Sequence, residues 1–256
     1  SNYSLYGDIS NRVMNILKKD CPEIEIYSID EAFINLYGIR KKEEFCFNLK
    51  NKIFKWTGIP VSIGIGKTKT LAKIAKRVAK KKNEYKVKFK FDGVYQISSK
   101  EEVDYILKRT DVGDVWGIGR KLELFFKKKE INSAFDFMNI NESFARVEKG
   151  IFVQKTILEL KGTQCYYLEK EIPRKSIRVS RSFGRKVHLY NELEHALVNY
   201  SQKASEKLRK YKLFCGSITV FLETSRYDSG YYNNSDTFIF IESTIDSRVI
   251  WNKAKY

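Results

Sequence analysis

Residues 24–36 constrain the fold most, because this β-prone stretch carries two adjacent acids at its centre. Its Ile, Tyr and Phe residues favour extended structure. On a straight strand, however, Asp30 and Glu31 would face opposite sides, and burying an unpaired carboxylate is costly. A hairpin tip or a bulge lets both side chains converge, so the sequence predicts a break in the β structure at the acid pair.

Two neighbouring carboxylates also suggest chemistry. Mg²⁺ prefers carboxylate oxygens, usually one or two from the protein together with substrate phosphates. Two such ions can stabilise the attacking and leaving oxygens of a phosphoryl transfer. The alternative is an ordinary exposed turn that happens to be acidic, because a lone acidic pair is a weak motif.

The charge distribution indicates a polyanionic partner. The 256 residues include 48 Lys and Arg against 31 Asp and Glu, a formal net charge of +17. Residues 67–90 hold eleven basic residues and one acid, and residues 174–190 hold six basic residues and no acid. Two separated basic segments suit a phosphate backbone followed over some length. The alternative is a lysine-rich surface without nucleic-acid binding.

A glycine-containing turn precedes the clearest helix pattern. Residues 64–71 read GIGKTKTL, but a P-loop would need glycine in place of Val61, and a dinucleotide-binding motif would need it in place of Lys69. What remains is a turn into a helix N-terminus, which can bind phosphate, or a plain strand–turn–helix link with solvated lysines. The helix that follows has apolar residues at Leu71, Ile74, Ala75 and Val78 and lysines on another face at Lys69, Lys73, Lys76 and Lys80.

A third motif, VWGIGRKL at residues 115–122, places two glycines before a basic helix. Backbone amides at Gly117 and Gly119 could contact a DNA phosphate without regard to base sequence. The alternative is a helix–helix turn that needs glycine for its backbone conformation. The basic residues that follow, which include Arg120 and Lys121, favour the DNA interpretation.

The patterns divide the chain into parts and predict an α+β multidomain protein. Residues 1–91 are predicted as α/β, residues 92–164 as a small helical domain with glycine breaks, and residues 165–174 as a tether. From residue 175 the pattern predicts a βαββ unit: a strand at residues 177–179, a helix beginning at Asn191, and two further strands.

Other features bear on the environment of the chain. No run of about 18 apolar residues is present, so we expect no membrane span. The cysteines Cys21, Cys46, Cys165 and Cys215 form no C-x-x-C pair. We therefore expect no structural zinc site. We expect a cytoplasmic protein whose thiols are reduced.

The three motifs, in this order and spacing, resemble those of the Y-family translesion DNA polymerases. YSIDEAF at residues 27–33 looks like the family's S-x-D-E signature, and residues 58–80 resemble the palm segment with its triphosphate-binding lysine. Residues 115–122 look like the helix-hairpin-helix thumb, and KSIRVSRSFG at residues 175–184 resembles the start of the little finger. The amino-acid sequences of the last two motifs are most similar to those of the UmuC-like branch, the bacterial polymerase V type.

This resemblance implies a partial palm at residues 1–91, a thumb at 92–164, a linker at 165–174 and a C-terminally truncated little finger at 175–256. It implies that Asp30 and Glu31 are catalytic residues that bind two Mg²⁺ ions, and that Lys69 neutralises the triphosphate. It also implies a set of DNA contacts: Gly117, Gly119, Arg120, Lys121, Arg178, Ser180, Arg181 and Arg185.

The implied function is error-prone translesion synthesis in the bacterial SOS response, with primer–template DNA and dNTPs as substrates and a cytoplasmic, nucleoid-associated location. A UmuD-like subunit and the sliding clamp are the partners that the resemblance suggests. Because no first catalytic aspartate or fingers domain precedes Ser1, we expect a fragment that binds DNA but is catalytically impaired. The alternatives are a non-catalytic DNA-binding module derived from a polymerase and a metal-dependent nuclease.

Overall fold

The computed structural model describes residues 2–169, 174–225, 227 and 229–255. The chain divides into two compact units, Ser1–Ile172 and Pro173–Tyr256, which we call unit 1 and unit 2. Among the residues described, none of the helices has both the length and the apolar character that crossing a membrane requires.

Unit 1 mixes helices with short strands. In order its elements are α1 (Tyr3–Asp20), β1 (Ile24–Ile26), β2 (Ala32–Ile34), α2 (Lys42–Thr57), β3 (Ile63–Ile65), α3 (Lys69–Lys80), α4 (Lys82–Tyr85), β4 (Val94–Gln96), α5 (Lys100–Leu107), a 3₁₀ turn (Val112–Asp114), α6 (Arg120–Lys127), α7 (Ala134–Met138), α8 (Glu142–Lys149) and α9 (Ile151–Leu160). β1 and β2 pair antiparallel, whereas β3 and β4 pair parallel.

Helix α3 is the central element of unit 1. Its apolar stripe is buried as the periodicity predicts, and Thr68 caps its first turn by accepting a hydrogen bond from the backbone N–H of Leu71 at 3.2 Å. The helix packs so closely on β3 that a Cβ added at Gly64 would lie 2.0 Å from the backbone nitrogen of Lys76. Glycine at position 64 is therefore a packing requirement.

One apolar core joins α3 to the helices that follow. Its buried members run from Leu71 in α3 to Leu160 in α9 and include Ile106, Phe126 and Phe137. The strand Val94–Gln96 lies just inside the segment predicted as helical and pairs with β3. The division into palm and thumb at residues 91 and 92 stays a prediction, because α3 and the later helices share this core.

The buried carboxylate of Glu159 connects α3 to the segment after α9. One oxygen accepts the backbone N–H of Thr70 at 2.9 Å, and the other accepts those of Cys165 at 2.8 Å and Tyr166 at 3.0 Å. Further along, the backbone N–H of Glu169 donates to the Glu25 carboxylate at 2.6 Å. Residues 165–169 of the predicted linker thus belong to unit 1 and are hydrogen-bonded to the rest of it, while residues 170–173 lie outside the described residues.

Unit 2 consists of two helices and a hairpin in its described part: α10 (Tyr190–Tyr211), β5 (Cys215–Glu223), β6 (Asn233–Thr244) and α11 (Ser247–Ala254). The prediction of a strand at residues 177–179 is wrong, because this segment is irregular and pairs with neither strand of the hairpin. The described order is therefore αββα and not βαββ. Helix α10 begins one residue before Asn191, with Leu189 at its N-cap and no side-chain capping bond.

Candidate functional site

The acid pair lies in the turn of the β1–β2 hairpin, as the interrupted β pattern predicts. The backbone N–H groups of Tyr27 and Ser28 both donate to the carbonyl of Glu31 at 3.0 Å, which closes the turn. Asp30 is exposed, and its carboxylate accepts a hydrogen bond from the Ser28 hydroxyl at 2.6 Å. The turn therefore presents one carboxylate to solvent while the other meets α3.

Glu31 is held by two lysines of α3. Nζ of Lys73 lies 2.7 Å from Oε2, and Lys76 pairs with Oε1. Burial works against ionisation, but the hydrogen bonds from these two lysines outweigh it and hold the pKa of Glu31 below its ordinary value. The carboxylate is thus kept ionised, which is the form that a hard cation binds. The sequence showed the lysine face of α3 but not which of its members meets Glu31.

Lys69, predicted to neutralise the triphosphate, forms a largely buried ion pair in this structure, and its predicted role stays a prediction. Its ammonium lies 2.5 Å from the Glu25 carboxylate and 4.9 Å from the centre of the Phe33 ring, and its side chain is only 9% exposed. The first turn of α3 is also occupied, because the N–H groups of Thr70 and Leu71 donate to Glu159 and Thr68. Of the two interpretations of the GIGKTKT segment, this geometry favours the strand–turn–helix link.

Three aromatic rings surround the ammonium of Lys73, and a fourth ring packs on one of them. Nζ lies 4.4 Å from the centre of the Tyr27 ring, 5.7 Å from that of Phe33 and 5.5 Å from that of Trp116. Trp116 contacts the rings of Tyr27, Phe33 and Tyr166, and its indole N–H donates to the Tyr27 hydroxyl at 3.1 Å. Tyr27 of the acid-pair hairpin and Trp116 are 89 residues apart in the chain. The hairpin and the glycine turn at residues 117–119, which we call the GIG turn, therefore meet through this aromatic cluster.

The GIG turn supplies an exposed start to α6. Gly117 adopts a φ of 91°, a left-handed conformation that favours glycine. Ile118 is buried, whereas Gly119, Arg120 and Lys121 are exposed, and no side chain caps the helix at Gly119. Amides and basic side chains at one exposed helix start are suited to a backbone phosphate.

The basic residues that the sequence assigned to DNA in unit 2 are also exposed. The guanidinium of Arg178 lies 4.3 Å from the centre of the Phe221 ring, and Arg185 pairs with Glu192. Ser180 and Arg181 are exposed in the irregular segment before α10. Unit 2 therefore carries a basic, solvent-accessible segment of its own.

The donor set fits a magnesium ion held partly by substrate. Among the residues described, no group of three or more His, Cys, Asp and Glu side chains is placed to hold a metal ion. Asp30 and Glu31 are of the residue type and number that Mg²⁺ takes from a protein when substrate phosphates complete its coordination. In this structure Asp30 faces solvent, whereas both oxygens of Glu31 are paired with lysines.

Two sequence models of one family match this chain. The model described as impB/mucB/samB family matches residues 1–77, which include the acid pair and most of α3, and the model of its C-terminal domain matches residues 174–255. The chain belongs to the impB/mucB/samB family. Protein UmuC of Salmonella typhimurium is 38% identical over 99% of this chain and 60% of UmuC, and Protein ImpB of the same species is 36% identical over 89% of this chain and 54% of ImpB. This impB/mucB/samB family chain thus spans about 54 to 60% of the length of these two relatives.

Solved structures show what fold the family chain adopts. A Y-family DNA polymerase chimera built on Dbh superimposes with a TM-score of 0.66 at 22% identity, covering 100% of this chain and 70% of the other. The insertion ternary complex of Dbh DNA polymerase gives a TM-score of 0.56 at 21% identity, with the same coverage. The mixed α/β fold of this impB/mucB/samB family chain therefore resembles that of Y-family DNA polymerases, as its motifs indicated.

Proposed function

We propose that this chain is part of a translesion DNA polymerase that performs template-directed nucleotidyl transfer past damaged DNA. The observation that carries the proposal is the hairpin turn that presents Asp30 to solvent and Glu31 to the lysine face of α3, within a segment matched by the family. Phosphoryl transfer depends mainly on positioning and charge neutralisation, and adjacent carboxylates and lysines serve both.

In this proposal Asp30 and Glu31 hold divalent metal, two Mg²⁺ ions in the complete enzyme. Bound Mg²⁺ would polarise the phosphoryl oxygens and neutralise charge on the transferring group. Asp30 offers an exposed carboxylate, and Glu31 offers one whose ionised form the lysines maintain. The triphosphate role of Lys69 stays a proposal, and it requires the ammonium to leave Glu25.

DNA contacts are proposed on both units. In unit 1 the amides of Gly117 and Gly119, with Arg120 and Lys121, would hold a phosphate at the helix-hairpin-helix of the thumb. In unit 2 the little finger would use Arg178, Ser180, Arg181 and Arg185. By family, we also propose action in the SOS response of a bacterial cytoplasm, with a UmuD-like subunit and the sliding clamp as partners.

The DNA-binding part is tested by fluorescence anisotropy of a labelled primer–template with the 256-residue polypeptide. We expect the affinity to fall on the order of a hundredfold between 50 and 200 mM salt, as about four phosphate contacts would give. Lys121→Ala should weaken binding and reduce the salt slope by about one contact. Lys41→Ala removes the same charge from an 81% exposed side chain of unit 1 outside the three motifs and is the matched control. A flat salt profile, or equal effects of the two variants, would contradict the proposal.

The catalytic part is tested by primer extension with Mg²⁺ and dNTPs. We expect little extension from this polypeptide alone, because the described residues place no third metal-binding side chain with Asp30 and Glu31. Strong extension that Asp30→Ala abolishes would show that two carboxylates suffice and would contradict this expectation.

The second candidate is a non-catalytic DNA-binding module, which is favoured by the occupation of both Glu31 oxygens by lysines. Metal-dependent dNTP binding distinguishes the two functions. A polymerase part should bind dNTP more tightly with Mg²⁺ and lose this gain in Glu31→Gln. A binding module should show DNA affinity with no metal-dependent gain for dNTP.

A further inference from the structure

The two lysines on Glu31 are held in unequal ways. Lys73 contacts Oε2, and its side chain is 18% exposed, whereas Lys76 contacts Oε1, and its side chain is 39% exposed. Each carboxylate oxygen therefore has its own ammonium partner, and the partner of Oε1 is the one nearer to solvent.

The aromatic cluster increases this difference. Nζ of Lys73 lies within 6 Å of the centres of three rings, those of Tyr27, Phe33 and Trp116. Cation–π contacts are worth about 0.5–1 kcal/mol when exposed and more when desolvated. Within the described part of the chain, Lys76 makes no such ring contact. Lys73 is thus fixed by its surroundings, whereas Glu31 is the one partner of the Lys76 ammonium among the described residues.

An ammonium group on Oε1 opposes the binding of a divalent cation to the same oxygen. Mg²⁺ binds oxygen at about 2.0–2.1 Å and demands near-ideal octahedral geometry. An ammonium that donates to the same oxygen competes for its lone pairs and repels the ion. Moving one lysine away removes this competition and repulsion, and the cost of moving is smaller for the more exposed lysine.

We propose that Lys76 is the exchangeable counter-cation of Glu31: an arriving divalent ion displaces Lys76 from Oε1, while Lys73 stays on Oε2 and fixes the orientation of the carboxylate. This inference rests on the proposed role of Glu31 as a metal ligand. It accounts for the pairing of Glu31 with a lysine helix before metal binds, because the lysine supplies the charge that the metal later replaces.

The probe is Mn²⁺, titrated into the 256-residue polypeptide and followed by the electron paramagnetic resonance signal of the free ion. Lys76→Met removes the competing ammonium while keeping the aliphatic stem, and it should tighten Mn²⁺ binding about two- to fivefold, the range expected for a partly exposed ion pair. Lys80→Met is the matched control. It removes the same charge one turn along α3, from an exposed lysine that makes no ion pair among the described residues, and should change the affinity by less than about 1.5-fold.

Lys73→Met separates exchange from simple charge removal. It leaves Lys76 in place and deletes the fixed partner, so no gain in Mn²⁺ affinity is expected. Equal gains in the Lys73, Lys76 and Lys80 variants would overturn the proposal, because the effect would then be general electrostatics. Circular dichroism spectra that match the wild type exclude misfolding as a cause.

Glu31→Gln distinguishes failure of the exchange from failure of the function. If this variant loses Mn²⁺ binding but Lys76→Met binds no tighter than the wild type, the exchange is wrong and the metal role stands. If the wild-type and Lys76→Met chains both lack Mn²⁺ binding that depends on Glu31, the exchange and the metal role both fail, whereas DNA binding is judged by its own assay.

Discussion

Replacing Trp116 by alanine should loosen the contact between the acid-pair hairpin and the GIG turn. The indole packs against three rings, with centroid distances of 5.7 Å to Tyr27, 5.7 Å to Phe33 and 5.3 Å to Tyr166. It also lies beside the ammonium of Lys73 and donates a hydrogen bond to the Tyr27 hydroxyl. The substitution removes all of these contacts together.

The expected loss of stability follows from these contacts. A fully buried Trp→Ala change costs about 3–5 kcal/mol. Trp116 is half-buried, so we expect unit 1 to lose about 2–3 kcal/mol. Trp116→Phe retains a ring but not the N–H donor, and it should cost about 1 kcal/mol, the value of one hydrogen bond.

Hydrogen–deuterium exchange resolved by peptide is the suitable assay, because two units need not unfold together. Trp56→Ala is the matched control, since this tryptophan belongs to unit 1 but is 58% exposed, and its loss should cost less than about 1 kcal/mol. Protection in the peptides that cover β1 and β2 should fall most in Trp116→Ala. Equal effects of Trp116→Ala and Trp56→Ala, or no difference between the alanine and phenylalanine variants at position 116, would refute the reasoning.

Three further substitutions test the structure of unit 1. Glu159→Gln should cost about 3 kcal/mol, because the amide turns a donor towards backbone N–H groups that the buried carboxylate accepts. Both variants are measured by urea titration. Glu142→Gln, which changes a partly exposed ion pair with Lys161, is the control and should cost less than about 0.5 kcal/mol. Similar costs for Glu159→Gln and Glu142→Gln would contradict the structural role assigned to Glu159. Thr68→Val removes the α3 cap and should cost about 1–2 kcal/mol; an unchanged urea midpoint would show the cap to be unimportant. Hydrogen bonds from Ser133 lower the pKa of Asp136, so its contribution is present above the ordinary carboxyl pKa and lost as pH falls through the lower folded value. Asp136→Asn should therefore flatten the pH dependence of the unfolding free energy below the ordinary carboxyl pKa, and parallel wild-type and variant profiles would refute this.

Local patterns predicted the elements that position the site. The period of Leu71, Ile74, Ala75 and Val78 indicated α3, and all four are buried in the structure. The acids at the centre of a β-prone stretch indicated a break, and the hairpin turns there. These features follow from the sequence because neighbouring residues decide them. The strand expected at residues 177–179 did not form, because a strand needs a pairing partner and neither hairpin strand pairs with this segment.

The sequence by itself determined the positions of the acid pair, the lysine face of α3 and the two glycines of the GIG turn. It also determined the family that these motifs resemble. Which lysines meet Glu31, and that Trp116 packs on Tyr27, was decided only by the tertiary structure. The partners of Glu31 lie 42 and 45 residues away, and those of the Trp116–Tyr27 bond 89 residues apart. No local pattern encodes such pairs, because they form only when folding brings the hairpin, α3 and the GIG turn together.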